Sequence, residues 1–221
     1  MRTLLFDYGG TLDADGTTWL ERFYPIYKEY GVDIPRARFD RAFYDSDDGL
    51  ASRHQLAGLD LDQTLLLQVR DVLSAAAPDS LPLATKISGR FAEDSRRNFR
   101  RLRPALESLA RTRRLGIVSN FYGNLDAILY SEGLRDLFGV VADSGVLGVT
   151  KPDAEIFLHA ARVLGSGPAD CVMVGDSVKR DIAGAAAAGM KTALIAAPGE
   201  APSAGQDWTV ASVLELEAVL S

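Results

Sequence analysis

From Pro104 to Ile195 short apolar runs alternate with helical stretches, and that alternation restricts the chain to a sheet covered on both faces. A helix near Pro104 to Arg113 leads to Leu115-Gly-Ile-Val118, and one near Leu125 to Glu132 leads to Val140-Val141. A third, Ala154 to Leu164, precedes Cys171-Val-Met-Val174, and the alanine-rich Ile182 to Ala188 precedes Thr192-Ala-Leu-Ile195. Runs this short and this apolar suit strands buried on both sides, which pair in parallel through helical crossovers. Residues Thr3 to Phe6 add another such run, ending at Asp7 and a sharp turn at Gly9-Gly10. The expected fold class is therefore α/β, a doubly wound parallel sheet of Rossmann-like form. The Pro/Gly/Ser stretch Ala197 to Gln206 reads as a loop before a last short strand and helix.

Between the first apolar run and the rest, from about Thr17 to Phe99, no strand-like run occurs. Helical periodicity appears instead over Trp19 to Tyr30, Arg36 to Tyr44, Asp62 to Ala76 and Leu83 to Phe99. Turn signals at Gly31, Pro35, Gly58, Pro78 and Pro82 separate these stretches. The expected organisation is an α/β core of residues 1–16 and 100–221, with residues 17–99 inserted as an all-helical domain. The aromatics Trp19, Phe23, Tyr24, Tyr27 and Tyr30 fall at near-helical spacing and read as core packing. Arg53 and His54 read as polar groups between helices.

Charge and cysteine content narrow the function. A net charge of -6 over 221 residues argues against nucleic-acid binding, which needs a basic footprint. The arginines at 96, 97, 100, 101 and 103 then read as a solvated helix face. A single cysteine, Cys171, rules out an internal disulfide or a thiolate cage, and two histidines, His54 and His159, do not suggest a zinc site. Cys171 sits in an apolar run and reads as a small buried hydrophobe. With no signal-peptide layout and no run long enough to span a bilayer, the expected setting is reducing, cytoplasmic and free of membrane.

In an open parallel sheet, ligands bind beyond the carboxyl ends of the strands, where the strand order reverses. Asp7 follows the first strand, Ser119-Asn120 the second and Gly175-Asp176 the fourth, while Lys151 stands in the loop Gly148-Val-Thr-Lys-Pro-Asp153. Strand-end carboxylates such as Asp7 and Asp176 repel one another unless a cation lies between them. Hard oxygen ligands suit Mg²⁺, which also binds phosphate oxygens. Lys151 adds a second positive charge, and Ser119 offers a hydroxyl to a phosphate oxygen. A carboxylate nucleophile in this setting forms an acyl phosphate that water hydrolyses.

The motifs carry a resemblance. Phe6-Asp-Tyr-Gly-Gly-Thr-Leu12 resembles the first motif, D-x-D-G-T-L, of the haloacid dehalogenase-like hydrolase superfamily. Ile117-Val-Ser-Asn120 is similar to its second motif, and Lys151-Pro-Asp153 with Ile156-Phe157 to its third, K-P-D-x-x-I-F. Val174-Gly-Asp-Ser-Val-Lys-Arg-Asp-Ile182 resembles the fourth, G-D-x-x-x-x-D. The helical insertion matches the cap that one subgroup carries between the first two motifs. The resemblance implies Asp7 as nucleophile and metal ligand, with the Gly9 carbonyl, Asp176 and Asp181 completing the Mg²⁺ site. It implies Lys151 steadying nucleophile and phosphate, and Thr11, Ser119 and Asn120 at the substrate. Gly9 stands where most phosphatases of the superfamily place a second Asp as general acid and base. The implied activity is hydrolysis of a small phosphorylated metabolite. The alternatives are a silent phosphate-binding protein, which Gly9 favours, a dehalogenase, or a phosphonate hydrolase. Nothing in the sequence indicates an oligomeric state.

Overall fold

A computed structural model describes residues 2–196 and 205–220. Among these residues six parallel strands form one sheet: β1 (Thr3–Phe6), β2 (Arg114–Ser119), β3 (Val140–Asp143), β4 (Cys171–Gly175), β5 (Lys191–Ile195) and β6 (Trp208–Val210). Their order is β3-β2-β1-β4-β5-β6, so the chain moves outward from β1 in one direction and returns to its other edge. The reversal falls between β1 and β4, whose register sets Phe6 opposite Val174. This is the doubly wound α/β arrangement expected from the alternation of apolar runs and helices. Of the expected loop Ala197 to Gln206, residues 197–204 lie outside the described residues.

Alternate side chains of each strand feed two cores. Leu4, Phe6, Ile117, Val172 and Val174 point to one face, where Leu106, Leu109, Ile128 and Leu129 cover them. Leu5, Val118, Ala142 and Met173 point to the other, beneath Ile156, Phe157 and Ala185. Cys171 is buried in the second core, as its apolar neighbours imply.

Four helices occupy the chain between β1 and β2: α1 (Trp19–Glu29), α2 (Arg36–Arg53), α3 (Leu61–Ala76) and α4 (Ala84–Ala110). Asp60 and Gln63 form a reciprocal capping box at the start of α3. Two sequence expectations need correction. α2 does not end at Tyr44 but continues to Arg53, because Phe39, Phe43, Ser46 and Leu50 keep a buried stripe at helical spacing. The helices expected to end at Phe99 and to begin near Pro104 are one continuous helix. Proline there removes a backbone hydrogen bond and disfavours a helix interior by about 3 kcal/mol. Burial of Phe99, Leu102, Leu106 and Leu109 along one face of α4 outweighs that cost. The expected boundary at residues 99 and 100 thus falls inside a helix. The five clustered arginines lie along α4 and are ion-paired, Arg96 to Asp62 and Glu132, Arg97 to Asp94, Arg100 to Glu93, Arg101 to Asp15 and Arg103 to Glu107. Arg53 and His54 both meet Asp71, tying the end of α2 to α3. Among the described residues no helix is long and apolar enough to cross a membrane.

The remaining helices are short: α5 (Leu125–Ser131), α6 (Ser144–Leu147), α7 (Ala154–Val163), α8 (Ala183–Ala187) and α9 (Leu216–Val219). They matter here for the loops they begin. Asp153 accepts the Glu155 N–H at the start of α7 and so ends the loop that carries Lys151.

Candidate active site

β1 ends at Phe6, and the Asp7 N–H continues the sheet by donating to the Val174 carbonyl at 2.9 Å. The chain then turns tightly through Tyr8–Leu12, where Gly10 adopts a φ of 86° that a side chain would disfavour. This turn leaves the Asp7 carboxylate at the crevice between β1 and β4. Three donors converge on its Oδ1: the Tyr8 N–H at 2.7 Å, the Ser119 hydroxyl at 2.8 Å and the Lys151 ammonium at 2.7 Å. None of these contacts uses Oδ2. The carboxylate is therefore fixed through one oxygen while the other keeps its lone pairs.

Lys151 is 4% exposed and bridges two acids, with Nζ also 2.7 Å from Asp181 Oδ1. Burial works against its charge, but the carboxylates of Asp181 and Asp7 outweigh that effect and hold the ammonium above the ordinary lysine range. Asn120 secures the backbone of the same residue. Its Oδ1 accepts the Lys151 N–H at 2.7 Å and its Nδ2 donates to the Lys151 carbonyl at 3.1 Å. Ordering a long lysine side chain is costly in entropy, and a clamped main chain reduces what remains to be ordered.

Asp7, Asp176 and Asp181 offer carboxylate oxygens that all lie within 4.8 Å of one another. Burial first, then the charges of Asp7 and Asp181, pushes the Asp176 carboxyl up to about 7. Burial likewise raises Asp181 to about 6, with Asp7 adding to the effect and Lys151 opposing it. Three acids against one ammonium leave a surplus of negative charge, and their donor atoms are hard oxygens. The set therefore fits a small hard divalent cation. The Ser177 N–H holds the second oxygen of Asp181 at 2.9 Å, so Asp181 is anchored from both sides.

Asp7, Gly9, Ser119, Asn120, Lys151 and Asp176 line one cavity of about 550 Å³. Thr11 lies behind it, fully buried, with its hydroxyl donating to Asp176 Oδ1 at 3.3 Å. Asp181 is equally buried beneath Lys151. Other groups of the site carry no local signal in the sequence. Asp13 accepts the Gly10 N–H at 2.7 Å and the Trp19 indole N–H at 2.7 Å, and it pairs with Arg22, so it braces the turn rather than facing the cavity. Trp19 does pack against Phe23 and Phe91 as expected, yet it also forms a wall of the cavity. Asp47, from α2, faces the same space and accepts a hydrogen bond from the Tyr122 hydroxyl. Burial raises the Asp47 carboxyl above its ordinary range and, with the Asp47 charge, keeps the Tyr122 phenol protonated. The Asp47–Tyr122 and Trp19–Phe91 contacts join residues remote in sequence, which is why spacing does not reveal them.

The family model described as haloacid dehalogenase-like hydrolase matches residues 1–189. Haloacid dehalogenase-like hydrolase domain-containing protein 3 of Bos taurus is 34% identical over 193 residues, covering 85% of this chain and 70% of that protein. Pyrimidine 5'-nucleotidase YjjG of Escherichia coli (strain K12) is 35% identical over 123 residues, covering 52% of this chain and 53% of its own length. The crystal structure of a HAD phosphatase from Thermococcus onnurineus superposes with a TM-score of 0.59 at 25% identity, covering 100% of this chain and 98% of that one. Four motifs in order, a reversal point furnished with their side chains, and a family match over most of the sequence agree: the chain belongs to the haloacid dehalogenase-like hydrolases.

Proposed function

We propose that the protein is a Mg²⁺-dependent phosphatase that hydrolyses a small phosphorylated metabolite through an aspartyl phosphate on Asp7. The observation that carries this reading is the convergence of Tyr8, Ser119 and Lys151 on a single oxygen of Asp7. A buried acid serving only as a turn would not need an ammonium shared with a second acid. Asp7, Asp176, Asp181 and the Gly9 carbonyl would hold the ion, which when bound neutralises charge on the phosphate and lets an anionic nucleophile approach it.

The chain's own residues then act in sequence. The free oxygen of Asp7 attacks phosphorus, the bond from phosphorus to the leaving oxygen breaks, and an acyl phosphate remains on Asp7. Lys151 and Ser119 keep the carboxylate aimed and meet the transferring phosphate oxygens, where charge builds as the bond breaks. Water attacks the acyl phosphate at phosphorus, giving inorganic phosphate and restoring Asp7. Residues 17–99 act as a cap over the cavity, to which they contribute Trp19, Phe43 and Asp47. The relatives whose names specify a phosphate ester substrate, the nucleotidase among them, support the reaction class.

Release of p-nitrophenol from p-nitrophenyl phosphate with Mg²⁺ tests this in the wild type and in Asp7→Asn. Turnover in the wild type alone is expected. Turnover in both proteins would remove Asp7 as nucleophile, and turnover in neither would leave a phosphate-binding protein, the reading that Gly9 favours.

A further inference from the structure

A phosphate ester is cleaved only if its leaving oxygen departs with a proton or tolerates the negative charge. Gly9, on the turn that follows the nucleophile, has no side chain to supply that proton. The space beside it is already filled, because a Cβ built at position 9 would stand 3.3 Å from Trp19 Nε1. The indole N–H is itself committed to Asp13. The acids on the metal side, Asp176 and Asp181, belong to the ion. Asp47 reaches the cavity from α2, off the nucleophile's turn, and its Oδ1 accepts from Tyr122 and, at 3.4 Å, from Gln68. Beside the nucleophile's turn there is therefore an aromatic wall, begun by Trp19 of α1, in place of an acid. That wall continues: Trp19 meets Phe121 edge-on at 5.9 Å, and both line the cavity together with Phe43 and Tyr44.

We propose that the preferred substrate is an aryl phosphate, its ring seated against Trp19 and its phenolic oxygen leaving as a phenolate. This rests on the Asp7 phosphatase reading above and deepens it. The bond made joins an Asp7 oxygen to phosphorus. The bond broken is the one from phosphorus to the aryl oxygen, and its electron pair stays on that oxygen. The phenolate takes its proton from bulk water after leaving. A flat ring fits because rings prefer edge-to-face and offset contacts with other rings, and Trp19 and Phe121 both line the cavity. An alkoxide, far more basic than a phenolate, would have to leave unassisted, forfeiting the roughly 10²- to 10⁴-fold that a positioned acid supplies.

Two measurements on the Mg²⁺-loaded protein test it. The first compares kcat/KM across ring-substituted phenyl phosphates and simple alkyl phosphates. Aryl esters are expected to lead by at least about 10²-fold, with rates falling steeply as the phenol becomes more basic. The second compares binding of phenylphosphonate with methylphosphonate, neither of which turns over. The wild type is expected to favour the phenyl compound by roughly three- to tenfold, Trp19→Phe to keep most of that preference and Trp19→Leu to lose it. Trp19→Phe also separates loss of the ring from loss of the fold. Equal cleavage of alkyl and aryl esters would overturn the proposal while leaving the phosphatase reading intact. So would Asp47→Asn slowing only the alkyl esters, because Asp47 would then be the missing acid. Absence of turnover on every ester would instead strike the phosphatase reading, and equal binding of both phosphonates would strike the aromatic seat alone.

Discussion

At the scale of single residues, the site is an exercise in placing negative charges together and keeping them there. Gly175 shows how little room is left, since a Cβ at that position would lie 2.4 Å from Asp181 Cγ. Gly175→Ala must push Asp181 away from Lys151 or shift β4. A loss of about 1–3 kcal/mol in urea unfolding is expected, with turnover falling as Asp181 moves; unchanged stability would mean that the acid is not held as described. The raised carboxyls of Asp176 and Asp181 add a pH dependence. A folded state that binds these protons more tightly than the unfolded chain is favoured at low pH. That advantage is lost as pH rises through about 6 to about 7. In EDTA, the melting temperature should therefore fall between about pH 5 and about pH 8, and Asp176→Asn should flatten the fall. On the proposed function Mg²⁺ binds the ionised acids, and it should then raise the melting temperature more at the higher pH. A metal-free protein that became more stable over that interval, with or without the substitution, would show that the acids are not in contention.

At the scale of elements, α1 and α4 hold Trp19 in place. Phe23 stacks on Phe91 with centroids 4.0 Å apart and an interplanar angle of 14°, and Phe91 meets the Trp19 ring at 5.3 Å. Phe91 is fully buried, so Phe91→Ala should cost about 3–5 kcal/mol by thermal or urea unfolding. It should also loosen the wall beside Gly9. A cost below about 1 kcal/mol would mean that the helices repack freely and that Trp19 owes its position to something else. Elements also mark what the sequence can express. The strands and their order of chemistry were legible because buried parallel strands leave unbroken apolar runs and set polar residues at their ends. Asp7, Ser119, Lys151 and Asp176 could thus be read from their positions after strands or before a helix. The lengths of α2 and α4 were not legible. Tyr44 and Pro104 look like ends locally, and only packing against distant side chains carries each helix onward.

At the scale of the molecule, the sheet presents β1 and β4 with a reversal, and the helices between β1 and β2 bring Trp19, Phe43 and Asp47 to the cavity there. Asn124, on the sheet side, donates to Thr64 Oγ1 at 2.7 Å and to the Leu59 carbonyl at 3.1 Å, so the helical segment is tied to the core beside the cavity. Contacts of this kind, like that of Asp47 with Tyr122, depend on how two parts of the chain meet, and periodicity along one part carries no record of them. In the proposed function all of this serves one event, transfer of a phosphoryl group onto Asp7. Rapid acid quenching during turnover, followed by peptide mass spectrometry, observes that event directly. The peptide bearing Asp7 should gain one phosphoryl group, lost on treatment with hydroxylamine and absent in Asp7→Asn. Turnover proceeding with no phosphoryl group on that peptide, or with the group on another residue, would contradict it.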